Sequence, residues 1–252
     1  MDPTPTRTGG TTITVDDLLT LAVEGHGGLQ RWRRVSRFRA AVSITGAIWT
    51  LVGRPGLLDD VVVEGDTGDQ RLTLSPIPQH GCYTTWQPDR QTIRTAAGTV
   101  LAERRDPPAA AFCGRARRWD AFQVAYVAGQ GTWNDLCTPF LFARDDFVTE
   151  ESWPWLEHGQ LWRTLLVTYP DTVVTHCRQQ TCYVDDTGLL RRLDYAVDVL
   201  GGGGAVQYPS RYREFDGIMV PTRRRVYARD AEGFPIPDTV SIAVDLAHVS
   251  FD

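Results

Sequence analysis

The chain contains no lysine: all 26 cationic positions among its 252 residues are arginine. A Schiff-base lysine and a phosphate-cradling P-loop lysine are therefore excluded by inspection. Also missing are the GxSxG nucleophile elbow, the GxGxxG dinucleotide fingerprint, the HExxH zinc motif and GxxxxGK[ST]. No run reaches the ~18 apolar residues of a membrane-spanning helix, so no membrane span is expected. Net positive charge is lacking too, the balance being −5. Neutralising phosphates needs a clustered cationic excess, so no nucleic-acid partner is expected. Three short arginine clusters, Arg31 to Arg34, Arg115 to Arg118 and Arg223 to Arg225, read as solvated faces. The five cysteines (Cys82, Cys113, Cys137, Cys177, Cys182) are odd in number and lack CxxC spacing, which predicts reduced thiols rather than a disulfide framework. The start, Met1 to Gly10, has neither the basic nor the apolar region of a signal peptide. Read from Met1, the chain is expected to be cytoplasmic.

What is present is a succession of short alternating segments. With 42% hydrophobic content the chain suffices for one large domain over 1–252, of mainly β (α+β) class. After a disordered tail (1–13), Thr14 heads an N-terminal helix within 14–32, its apolar stripe formed by Leu18, Leu19, Ala22 and Val23. A first β-meander occupies 35–105, with strands from Phe38 to Thr45, Ile48 to Val52, Leu58 to Glu64, Arg71 to Leu74, Tyr83 to Gln87, Thr92 to Thr95 and Val100 to Arg104. A second meander covers 160–252. There, turn signals at Asp185-Asp186-Thr187-Gly188, Gly201 to Gly204 and Asp216-Gly217 separate alternating runs. The whole reads as a curved antiparallel sheet or half-barrel of about ten to twelve strands.

Between the meanders, 106–155 changes period from two to about 3.6. Trp119, Phe122, Tyr126, Trp133, Leu136 and Phe140 fall on one helical stripe, expected to bend near Gly129 and Gly131 into two helices. An aromatic helix pair between two meanders is placed to act as a lid over the sheet's open face.

This order of elements, with Arg191-Arg192-Leu193-Asp194-Tyr195 followed by Tyr212 to Arg223 and its Gly217-Ile218-Met219-Val220-Pro221-Thr222 hairpin, resembles the LolA/LppX-like half-barrel of bacterial lipoprotein carriers and their ligand-binding relatives. His26-Gly27-Gly28 through Trp32, and Asp120 to Phe140, are similar to stretches of a widespread set of uncharacterised soluble bacterial proteins. The resemblance implies an open barrel that holds a hydrophobic ligand. Carriers of the LolA type are exported, whereas this start shows no export signal.

The chemistry expected of such a container needs no cofactor. His176 falls in an apparent strand, Thr172 to Tyr183, whose alternation groups Val174, His176, Arg178, Gln180 and Cys182 on one face; whether that face is inward stays open. His176-Cys177 with Cys182 is the nearest approach to a metal cluster, but neighbours on a strand point oppositely, so no metal is expected. An inward Asp194 would have its pKa raised by desolvation and could serve as a base. His176, Tyr126 and Asp194 are thus the candidate catalytic groups. Trp119, Phe122, Trp133, Asn134, Phe140, Tyr183 and Tyr195 are candidate ligand contacts, with Asp135 a further pocket candidate. Two functions are compatible with this: a hydrophobic-ligand binder acting as a cofactor-free cyclase or isomerase by folding its substrate, or a non-catalytic lipid or lipoprotein carrier.

Overall fold

Helices α1 (Asp16–Gly25) and α2 (Leu29–Trp32) precede the sheet in the computed structural model, which describes residues 16–105, 112 and 118–252. The cap expected at Thr14, and most of the start of the lid, lie outside the described residues. Strand β1 (Arg37–Thr45) is followed by a short helix α3 (Ala47–Leu51), then by β2 (Val61–Asp66), β3 (Leu72–Ser75), β4 (Cys82–Trp86), β5 (Gln91–Thr95) and β6 (Val100–Arg104). Helix α4 (Ala121–Cys137) and a 3-10 turn (Phe140–Ala143) lead to β7 (Val148–Glu157) and β8 (Gln160–Thr168). The chain ends with β9 (Gln179–Val184), β10 (Leu190–Val197), β11 (Gly203–Phe215), β12 (Ile218–Ala228) and β13 (Ile242–Phe251). These thirteen strands form one curved, unclosed antiparallel sheet, in which β13 pairs with β1 to join the two meanders and β6 and β7 are the free edges.

Three local expectations are corrected. Ile48 to Leu51 is helical, not extended, with Val52 its C-cap: Gly46 at φ 120 turns the chain out of β1 toward Ser241, and the five residues that follow, four of them apolar, are too few to carry a period of their own. Strand β7 starts at Val148, inside the stretch expected to be helical up to Trp155. Helix α4 runs unbroken through Gly129 and Gly131. Its start is fixed by a capping box: the Asp120 carboxylate accepts from the Gln123 N–H and the Gln123 side chain accepts from the Asp120 N–H, both at 2.9 Å. The glycines are there for neighbours, not for a bend. A Cβ at Gly129 would lie 2.9 Å from the Trp86 ring, and one at Gly131 would lie 3.3 Å from His176.

The core fills the concave face. Helix α4 packs on β3 and β4, and its Trp133 indole, fully buried, donates to the Asp66 carbonyl at 2.7 Å. Alternation does the sorting: Val61, Val63, Leu72, Leu74, Trp86 and Ile93 point inward, while the residues between them face out.

Packing of α1 against the β11–β12 turn buries His26, whose Nδ1 lies 2.8 Å from the Ala22 carbonyl. Burial lowers its pKa from 6.5 to about 4. Above pH 6.5 both folded and unfolded chains hold it neutral; as pH falls from there toward 4 only the unfolded chain takes up the proton, so stability is lost across that window. Between pH 7 and pH 5 this group is expected to remove about 1–2 kcal/mol. Urea unfolding at the two pH values should show a smaller loss in His26→Gln than in the parent; an unchanged loss would refute the assignment.

Candidate functional site

Where helix, sheet and loops fail to meet, a chamber of about 700 Å³ opens between α3, α4 and the β10–β13 quarter of the sheet. Ala47, Ile48 and Leu51 come from α3, Val127 from α4, Val197 and Leu200 from the end of β10 and the turn beyond it, and Gly203 to Ala205 with Val226 to Ala228 from β11 and β12. Small and aliphatic side chains leave the space, and Leu51 and Leu200 stand exposed at its mouth. No aspartate, glutamate or arginine lines it, in a chain that is 23% charged.

The polar groups gather at the floor, where a smaller recess of about 40 Å³ continues inward past His176 and Tyr195. These two rings stack with centroids 5.0 Å apart. His176 sits on a loop, not on a strand, so the expected alternation from Val174 to Arg178 does not apply. That loop is pinned by Gln70, which donates to the Val174 carbonyl and accepts from its N–H, each at 2.7 Å, and by Asn134, whose amide donates to the same carbonyl at 3.1 Å. Gln130 on α4 donates to His176 Nδ1 at 3.0 Å, which leaves the ring proton on Nε2. Desolvation lowers the His176 pKa, so the imidazole is neutral at neutral pH.

Tyr195 donates to Gln207 Oε1 at 3.1 Å, and Gln207 donates to the Asp135 carboxylate at 2.9 Å. Arg224 completes the chain, 3.4 Å from that carboxylate and donating to the Asp135 carbonyl at 2.8 Å. Burial pushes the Tyr195 phenol well above its ordinary pKa. The floor is thus a closed relay whose acid is already neutralised by a buried guanidinium. Arg224 departs from the solvated role expected of its cluster, because neighbours on β12 point oppositely: Arg225 faces out to Asp245, and Arg224 faces in.

The other expected site residues lie elsewhere. Tyr126 packs edge-on to Trp86 at 6.4 Å, in the core under β4, where desolvation raises its pKa. Trp119 packs against Trp49, and Phe140 stacks on Trp32 at 4.4 Å. Phe122 lies half-buried beneath the Arg104 guanidinium, while Trp133 and Asn134 act as structural donors. Tyr183 and Asp194 are on the opposite, convex face. There the fully buried Arg192 donates to Asp194 through Nε and Nη2, both at 2.7 Å, to Glu157 at 2.6 Å, and to the Gly233 carbonyl. Tyr183 and Arg229 also donate to Asp194, at 3.1 and 3.0 Å. Burial works to raise the Glu157 pKa, but the Tyr208, Arg192 and Trp155 hydrogen bonds prevail and hold it below the usual carboxylate range. Asp194 is thus bracketed by Arg192, Arg229 and the Tyr183 hydroxyl on the convex face. Of the candidates, His176, Tyr195 and Asp135 come together; Gln130, Gln207 and Arg224 join them.

No protein-family model and no curated protein matches the sequence. Solved structures do share its shape. A DUF1329 family protein from Desulfovibrio piger is 17% identical with a TM-score of 0.53, over 94% of this chain and 93% of that one. The LolA superfamily protein NE2245 from Nitrosomonas europaea is 13% identical with a TM-score of 0.53, over the same shares. A putative outer membrane lipoprotein-sorting protein domain from Vibrio parahaemolyticus is 10% identical with a TM-score of 0.54, over 95% and 94%. Among the described residues no helix is long and apolar enough to cross a membrane. The chain thus has a LolA-like fold, a mainly-β half-barrel with its sheet left open.

Proposed function

We propose that this protein binds a single hydrophobic molecule in the chamber between α3, α4 and β10–β13, as a carrier rather than a catalyst. The carrying observation is the lining: about 700 Å³ without a charged side chain, in the size range of small-molecule sites. The half-barrel shape shared with a LolA superfamily protein and a putative lipoprotein-sorting domain supports a lipid-like cargo. A tail would fill the chamber, and a head with one or two polar groups would meet His176 and Tyr195 at the floor.

The enzymatic form, a cofactor-free cyclase or isomerase, would rest on His176 as the acid–base group. Tyr126 is in the core and Asp194 on the far face, so the expected trio does not converge. The free thiols Cys82, Cys137, Cys177 and Cys182 fit a reducing, cytoplasmic setting. Extraction and mass spectrometry of cargo recovered after incubation separates the two forms. Unaltered cargo is expected. Cargo converted by the parent but not by His176→Ala would overturn the carrier reading in favour of an enzyme.

A further inference from the structure

The outward face of the first meander carries a second and chemically opposite surface. Register aligns Arg39, Glu64, Thr73, Thr85 and Thr92 in one row across β1 to β5. Each alternates with core residues such as Ala40, Val63, Leu74 and Trp86, so the row faces away from the chamber. A trough of about 730 Å³ lies over it, lined by four arginines, Arg39, Arg71, Arg90 and Arg94, against one carboxylate, Glu64.

The charges in it are not balanced. Arg39 pairs with Glu64, and Arg90 with Glu103 at 2.9 Å, yet Arg90 Nε is buried without a partner. Among the described residues Arg94 donates to the Gly98 carbonyl alone, at 3.0 Å. The Arg71 guanidinium has no ion pair or hydrogen bond among the described residues. Arg71 also borders two neighbouring depressions, one lined by Arg37 and Arg39 with Glu64, Asp66 and Asp252, the other by Arg144 with Asp66, Asp69 and Asp89. Of these three adjoining depressions the trough has the largest excess of arginine over carboxylate, in a chain of net charge −5. Planar guanidiniums match phosphate oxygens two at a time, and the Ser75, Thr73 and Thr85 hydroxyls supply neutral donors between them.

We propose that this trough binds a phosphate-bearing anion, carried either free in solution or as a lipid headgroup. The site is independent of the chamber, since it lies on the other face of the sheet. The test is calorimetric titration of the whole chain with tripolyphosphate at low salt, beside co-sedimentation with phosphatidylcholine vesicles with and without phosphatidylglycerol. Saturable tripolyphosphate binding is expected, weakened at least about tenfold in Arg71→Ala/Arg94→Ala, whose exposed and half-exposed side chains leave the fold and its melting temperature intact. The double Arg→Lys variant should also bind several-fold more weakly, because charge is kept and the planar fork is lost. Tripolyphosphate binding alone identifies a free phosphate compound; phosphatidylglycerol-dependent sedimentation that the alanine variant abolishes identifies a headgroup. Binding of neither probe, affinity unmoved by the alanine changes, or lysine forms equal to the parent would overturn the proposal.

Discussion

Arg192→Leu is expected to destabilise the fold by about 3–5 kcal/mol, since removing one partner of a buried ion network leaves uncompensated charge behind. The reasons are specific to the convex face. Arg192 is fully buried, its guanidinium spans Asp194 and Glu157, and its Cζ lies 4.9 Å from the Trp155 ring centroid and 5.0 Å from that of Tyr183. Its removal leaves Glu157 with the neutral Trp155 and Tyr208 donors and the exposed His158 3.6 Å away, whereas Asp194 keeps Arg229. It also frees the Gly233 carbonyl, which helps hold the β12–β13 connection over this face, where Phe234 packs on Trp155. Urea unfolding would register the loss. Adding Glu157→Gln to Arg192→Leu should recover part of it, because a neutral amide costs less to bury than an unpaired carboxylate. A loss under about 1 kcal/mol, or no recovery, would mean that solvent or a rearranged loop compensates the charge.

The second large effect concerns the chamber. Ala205 is buried on β11, opposite Tyr195 and Ala228 in register, and lines the cavity. Ala205→Trp should put an indole into space the cargo needs. Binding of a fluorescent dansylated fatty acid is expected to weaken at least about tenfold, the loss of roughly 1.4 kcal/mol or more. Stability should change little, because the ring enters a void rather than a packed core, where overpacking costs about 1–3 kcal/mol. Unchanged affinity would place the hydrophobic site elsewhere. A large loss of stability would show that the chamber closes in solution.

Much of this architecture was legible from alternation and turns. The Asp216-Gly217 signal marks the β11–β12 hairpin to the residue, with both positions at positive φ (50 and 79). The five residues of α3 were not legible, because a run that short has no helical or strand period to detect. The site was harder for a physical reason. Aromatic residues on α4 attract notice, but large rings fill space, and a cavity exists where side chains are small: Ala47, Val127, Gly203, Gly204 and Ala205 carry no signal in one sequence. His176 drew notice through the polar face read into Thr172 to Tyr183, although the structure places it on a loop rather than a strand. Asp194, next to Tyr195, had to face the other way on a strand, so no more than one of the pair could share the site. Strand alternation through Arg223-Arg224-Arg225 also required at least one arginine to turn inward, and that was the available signal for Arg224.

Native mass spectrometry of the freshly purified protein tests the central claim most directly. One hydrophobic molecule per chain is expected on the parent, released intact on activation and absent or much depleted in Ala205→Trp. A parent that carries nothing, and that takes up no dansylated fatty acid when one is supplied, would contradict the account.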